Sequence, residues 1–393
     1  MGQVTAMSSE KSSGAGFLQT FFTGFLIVLV SLTVAGAVLA TWVHYTALDT
    51  ARFVDTVAPL ARNAAVDKAV SQQAIKVLFE KYDLTTRIEK EIKKLPEPLK
   101  SQAGMVASGA RDLAGTLTAE ILKSGAFQAV WKGILTTAHS EAVKGVRASG
   151  PVHLNEQGQV ILDVSALITD VKDRLANNGL GFLKDQSIPG GLGRIVLYQN
   201  SQLGNVKQTV TVLDQLFLVL PWSVVFLLIL AASVSSDTRR AVIWASVGMI
   251  VALAALVIIL KVVQYHYINP ISNATNRSAA VAVATQVQGS LILIVIGLVT
   301  LSFLSIIAAV VAGPYRWSAG MHDAISLNAL RKKRHPDVAV EPGFVSRFAW
   351  PLRVGGLCVA ILLMLFLPWT NVAVVTVICV AYLVYLCVIE FLR

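Results

Sequence analysis

Charge is scarce in this chain. Only 14% of its 393 residues are Asp, Glu, Lys or Arg, against 55% hydrophobic, which excludes an ordinary soluble domain. The shortage is clustered, because several stretches of about 20 residues have almost no charge, the length a helix needs to cross ~30 Å of hydrocarbon. Cysteine is scarcer still. Cys358, Cys379 and Cys387 all fall in the last apolar stretches, so residues 45 to 208 hold no disulfide and depend on packing for stability.

Catalytic signatures are also missing. The chain has no P-loop, no His-Glu-x-x-His, no Gly-x-Ser-x-Gly and no cysteine pair at metal spacing. Pro189-Gly-Gly-Leu-Gly193 lacks the strand-to-helix context of a phosphate loop and reads as a flexible connection. No cofactor is expected. Within the apolar runs Asp214, Lys261 and Glu390 stand near the ends, whereas ion-coupled transporters keep acids or histidines near the midplane.

What is present predicts a mainly α, polytopic membrane protein of about six spans, with a mostly helical extracytoplasmic domain that contains a small β hairpin. Residues 1–15 read as a disordered cytoplasmic tail, 16–43 as the first span, and 44–208 as the outer domain, which at about 165 residues is long enough to bury its own core. An uncleaved anchor is preferred to a signal peptide, since the apolar run continues past the small-x-small site at Ala35-Gly-Ala37. Later spans are expected at 209–234, 241–264, 289–312, 351–368 and 371–392, the last two as a tight hairpin of full crossings or, alternatively, a re-entrant pair, with an external loop at 265–288 and a cytoplasmic basic linker at 313–350. Trp42, His44, Tyr45, Tyr265, Tyr267 and Trp369 fall where amphipathic rings anchor spans to the interface. His44 and His266 are expected near the same surface, as anchors or, alternatively, as a shared proton or metal site.

Net charge is +10, yet residues 43 to 210 carry 20 basic against 16 acidic side chains, without a nucleic-acid patch. Much of the remaining positive charge flanks the spans, at Arg239, Arg240 and the cluster Arg331-Lys332-Lys333-Arg334. The positive-inside rule then puts the amino terminus in the cytoplasm and 44–208 outside a plasma membrane. Trp317, Met321 and Ile325 precede the cluster at helical spacing, so this segment is a topogenic loop or an amphipathic helix facing anionic lipid.

Inside the outer domain, Phe127, Trp131, Leu135, Ala138, Ala142 and Val146 form one apolar stripe, and Val66, Val70, Ala74, Val77 and Leu78 another. Pro96 and Pro98 follow a charged helix over 84–95, and a break is expected near Gly125. Val152 and Leu154, the turn Asn155-Glu-Gln-Gly158, and Val160 and Leu162 predict a hairpin, with Ile195 and Leu197 as a third strand. Ser165 is expected to cap a helix ending at Asn177-Asn-Gly179. A run from Ser201 with no breaker but Gly204 before Pro221, and a breaker-free run over 43–57, extend the second and first spans outward as stalks. His139 reads as a hydrogen-bonded histidine at the core edge, because Glu141 at i+2 lies on a different face.

Trp42, Val57-Ala-Pro-Leu60, Phe127 and Trp131 with His139, Val160-Ile-Leu-Asp-Val164, Leu220-Pro221 and Ala312-Gly-Pro314 together resemble a group of uncharacterised integral membrane proteins of actinobacteria and related bacteria. The resemblance covers most of the chain at the level of layout. It implies topology and location and brings no activity. The first functional expectation is a non-enzymatic envelope protein, a sensor, scaffold or complex subunit, with the bilayer and a protein partner or second copy as its contacts and no nucleic acid. A transport or permease-like component is the alternative, and an envelope or lipid enzyme the third.

Overall fold

The computed structural model describes residues 3–76, 86, 90, 103–147, 159–163, 169, 173, 177, 194–199, 203–313, 344–367 and 371–392. Six helices in it are long and apolar enough to cross a membrane, the feature the uncharged runs predict. The chain divides into two compact units, one of residues 1–44, 212–263 and 288–393, the other of 45–211 and 264–287.

The span unit is built from α1 (Gln3–Leu48), α6 (Leu203–Val234), α7 (Thr238–Ile268), α8 (Ala274–Val311), α9 (Ala349–Phe366) and α10 (Val372–Leu392). One core joins all six, from Val34 and Val38 through Val224, Leu253 and Leu301 to Ile361 and Ile378. Outward-facing residues stay apolar, with Phe21 at 67% and Val251 at 63% exposure. Apolar residues on both sides of a helix are what a lipid solvent permits and water does not. Lipid removes most of the hydrophobic drive between helices, so close approach of small residues must supply the packing. Gly297 sits under Met364 and Val375, Gly356 against the Tyr385 ring and Gly248 against Ser31, and a Cβ at any of the three collides.

The helices outrun the apolar windows. α1 begins at Gln3, where the sequence predicts an irregular tail, because turns added to an existing helix cost no new nucleus. The expected external loop shrinks to residues 269–273, since α8 starts at Ala274. Asn273 caps it, accepting from the amides of Thr275 and Asn276 at 2.9 and 3.1 Å. α6 begins at Leu203 and takes in Gly204, as the long helical period from Ser201 predicts. The first span differs. Its helix stops at Leu48, and Asp49, in extended backbone, caps α2 (Thr50–Val57) by accepting from the Arg52 amide. No Gly or Pro was needed for the break; a capping aspartate sufficed.

In the inserted unit α2 leads through a 3-10 turn (Ala58–Arg62) to α3 (Ala64–Lys76), then α4 (Ala103–Lys123) and α5 (Gly125–Arg147). The break expected near Gly125 is at Ser124, whose hydroxyl accepts from the Phe127 amide at 3.1 Å. α5 turns Leu135 inward with Phe127, Trp131, Ala138 and Ala142 beside it, facing α2 and the 3-10 turn. α3 is rotated from the expected stripe. Val70 is 37% exposed while Asp67 and Ser71 are buried, because Ile75 packs onto Gly115 of α4 and draws the 67/71/75 face inward. β1 (Gln159–Asp163) pairs antiparallel with β2 (Arg194–Gln199), with a register irregularity between Val160 and Ile161. The 152–158 part of the expected hairpin, the 84–95 helix apart from Thr86 and Lys90, and most of the 165–179 helix lie outside the described residues.

Candidate functional site

The expected interface anchors do not share one environment. Trp42 packs against the span core, while Tyr265 and Tyr267 are 68% and 75% exposed. The His44 Nδ1 lies 3.0 Å from an Asp214 carboxylate oxygen, and its ring stacks on Phe217 at 3.9 Å. Tyr45 carries the Arg52 guanidinium 3.4 Å over its ring. Trp369 and Arg331 to Arg334 lie outside the described residues.

Ionisable groups at the span ends are held by neighbours. Lys261 donates to Gln288 at 3.2 Å, and the Arg239 Nε donates to the Ala309 carbonyl at 2.9 Å, filling one of the open acceptors at the end of α8. Arg353 reads in the sequence as a flanking charge. It is buried, pairs with Glu390 of α10 and lies 4.9 Å from the Trp350 ring centre. A charge out of water requires such a partner. The pair is separated by 37 residues, so no local pattern announces it.

In the inserted unit His139 of α5 meets α2. Its Nδ1 is 3.1 Å from the Thr50 hydroxyl, and its ring stacks on Phe53 with centres 4.0 Å apart. Burial lowers the His139 pKa below the usual 6.5, opposed by the Ala47 backbone and by the Asp49 charge. The sequence singles out His139, as a core-edge histidine, but not Thr50 or Phe53; the signal for them was Asp49-Thr50, a capping pair. On the same α2–α5 seam Lys132 pairs with Asp55 at 3.7 Å, and the Arg62 Nε donates to Gln128 at 2.5 Å.

Between α3 and α4 lies an open cavity of about 680 Å³, lined by Gln72, Ile75, Lys76, Arg111, Asp112, Gly115 and Thr116. Its lining places two cations and one acid beside the Ile75 side chain. Beside it Asp67 is buried, and burial raises its pKa against the smaller lowering effect of Lys123. The Ser71 hydroxyl and the Trp131 indole N–H are buried without a hydrogen-bond partner among the described residues. No group of three or more His, Cys, Asp or Glu side chains among the described residues is placed to hold a metal ion.

No family model, curated protein or solved structure matches this chain.

Proposed function

We propose that this is a non-enzymatic, multi-pass protein of the cell envelope whose inserted unit, residues 45–211 with 264–287, faces away from the cytoplasm and binds a partner. The role is that of a sensor, scaffold or complex subunit. The observation that carries the reading is the open depression between α3 and α4, where Lys76 and Arg111 stand with Asp112 beside the side chain of Ile75. Such a surface suits an acidic group attached to an apolar body, and charge complementarity of this kind steers association. The orientation rests on the basic segments beside the spans. The resemblance in layout to actinobacterial envelope proteins fits the same placement.

A photocrosslinker replacing Thr116, on the cavity wall, tests the reading in native membranes. A discrete adduct that disappears when Lys76→Glu and Arg111→Glu are introduced together is the expected result. A crosslinker replacing Trp244, which is 62% exposed on α7, provides the lipid-facing control. No adduct at Thr116, or the same adducts from both positions, rejects partner binding through this cavity.

A further inference from the structure

We propose that α1 splints α6 across Pro221, so that these two spans cross the membrane as one body and any displacement they carry passes by movement of the pair, not by sliding of one helix along the other. The inference is independent of what occupies the α3–α4 cavity. Residues 49–202 lie between α1 and α6 in the chain, so these two spans are their covalent links to the bilayer.

α6 has a weak point. Pro221 stands inside it, where it offers no amide to the carbonyl four residues back and its ring crowds that turn. Prolines so placed are where helices bend. α1 has no proline along its length, and it touches α6 on both sides of Pro221. Toward the start of α6, the His44 ring stacks on Phe217 with centres 3.9 Å and planes 4° apart, and its Nδ1 lies 3.0 Å from an Asp214 oxygen. Next to the proline, Gly36 faces Leu220, whose Cδ1 lies 3.6 Å from the place a Cβ would take. At the last residue of α6, the Gln19 Nε2 donates to the Val234 carbonyl at 2.7 Å. From Gln19 to His44 along α1, the partners on α6 run back from Val234 to Asp214, the order an antiparallel pair requires.

The lipid setting makes these contacts decisive. The last carbonyls of a helix have no partner within it, and hydrocarbon supplies no donor, so the Gln19 amide meets a need at Val234. Between spans the hydrophobic drive is small, which leaves hydrogen bonds and close packing to set the register. Sliding by one helical turn, about 5.4 Å, would break the bond at Val234, unstack His44 from Phe217 and move Leu220 off Gly36 together. Movement of the pair as one body breaks none of them.

Disulfide formation in native membranes tests the splint, in a full chain whose Cys358, Cys379 and Cys387 are replaced by alanine or serine. Gly36→Cys with Leu220→Cys is expected to oxidise. Gly36→Cys with Leu216→Cys or with Val224→Cys, one turn to either side, is expected to stay reduced, because a disulfide needs Cβ atoms about 4 Å apart. Removing both end contacts with Gln19→Ala and Phe217→Ala is expected to bring out the shifted disulfides. Should that variant fail to fold, Gln19→Ala alone, at an exposed position, takes its place. Shifted disulfides while both end contacts are intact, no disulfide between positions 36 and 220, or an unchanged pattern in the end-contact variant overturns the proposal.

Discussion

At the scale of single residues, adjacent glycines make opposite predictions. A methyl group at Gly356 runs into the Tyr385 ring, which is fixed by the hydrogen bond from its hydroxyl to the Leu352 carbonyl at 2.9 Å. Gly355 has open space around it. Gly356→Ala should therefore lower stability by about 1–3 kcal/mol through overpacking, whereas Gly355→Ala should be neutral or gain up to ~1 kcal/mol from helix propensity. Thermal unfolding of the two variants in detergent checks this, and equal midpoints would refute the α9–α10 contact. Glu390→Gln leaves Arg353 buried beside a neutral partner, and should cost about 3–5 kcal/mol by the same measurement. Asp67→Asn makes the opposite kind of change. Burial raises the Asp67 pKa, so the wild type loses stability as pH rises through the interval above the ordinary value of 3.8. Asp67→Asn should thus be the more stable protein near neutral pH, and the difference should vanish in acid. A difference that persists below that interval would assign the effect to something other than ionisation. None of these pairs was legible in the sequence, because each joins residues from separate helices and neither partner carries a mark of the other.

The helices themselves were more legible than their ends. Apolar length locates every one of the six spans, since the bilayer imposes it directly on composition. It does not locate where the helix stops, because helix continuity depends on caps and on the absence of breakers, not on lipid contact. α8 begins at Asn273's cap, well ahead of its apolar window, and α1 ends at Asp49 inside a run that has no Gly or Pro. The rotation of α3 was hidden for another reason. Its stripe of valines was visible, but the face it buries was chosen by the fit of Ile75 onto Gly115 of α4. The candidate site shares this pattern, with His139 visible and its partners Thr50 and Phe53 not. Asp49 is where the element scale becomes testable. Asp49→Ala removes the α2 cap and the Arg52 partner, and should cost about 1–2 kcal/mol. The loss should appear as faster amide exchange in Thr50–Val57 with α10 unchanged. Unchanged exchange in α2 would show that the His139 contacts, not the cap, define the break between α1 and α2.

At the scale of the whole molecule, two solvents act on one chain. In the span unit Leu253, Leu301 and Ile361 are buried while Phe226 and Ile258 face outward at 64% and 62% exposure, so burial there is a matter of fit between helices in lipid. In the inserted unit charged side chains such as Lys132, 62% exposed, stand outward and Val54, Ala114 and Leu135 are buried, as water favours, although Met105 and Val130 are exposed too. A surface of that kind suits an aqueous phase, which the orientation proposed above puts on the side opposite the cytoplasm. Labelling of single cysteines with a membrane-impermeant maleimide separates the two sides. Cys358, Cys379 and Cys387 are first replaced by alanine or serine, since the last of them is exposed. Lys132→Cys disturbs only a well-exposed ion pair, a type worth ~1 kcal/mol or less, so the variant should fold. It is expected to react in intact cells. Arg240→Cys, at a side chain 80% exposed near the start of α7, is expected to react only after the membrane is opened. The reverse pattern would place His139 and the α3–α4 cavity in the cytoplasm. In that case the partner sought at Thr116 would be a cytoplasmic molecule.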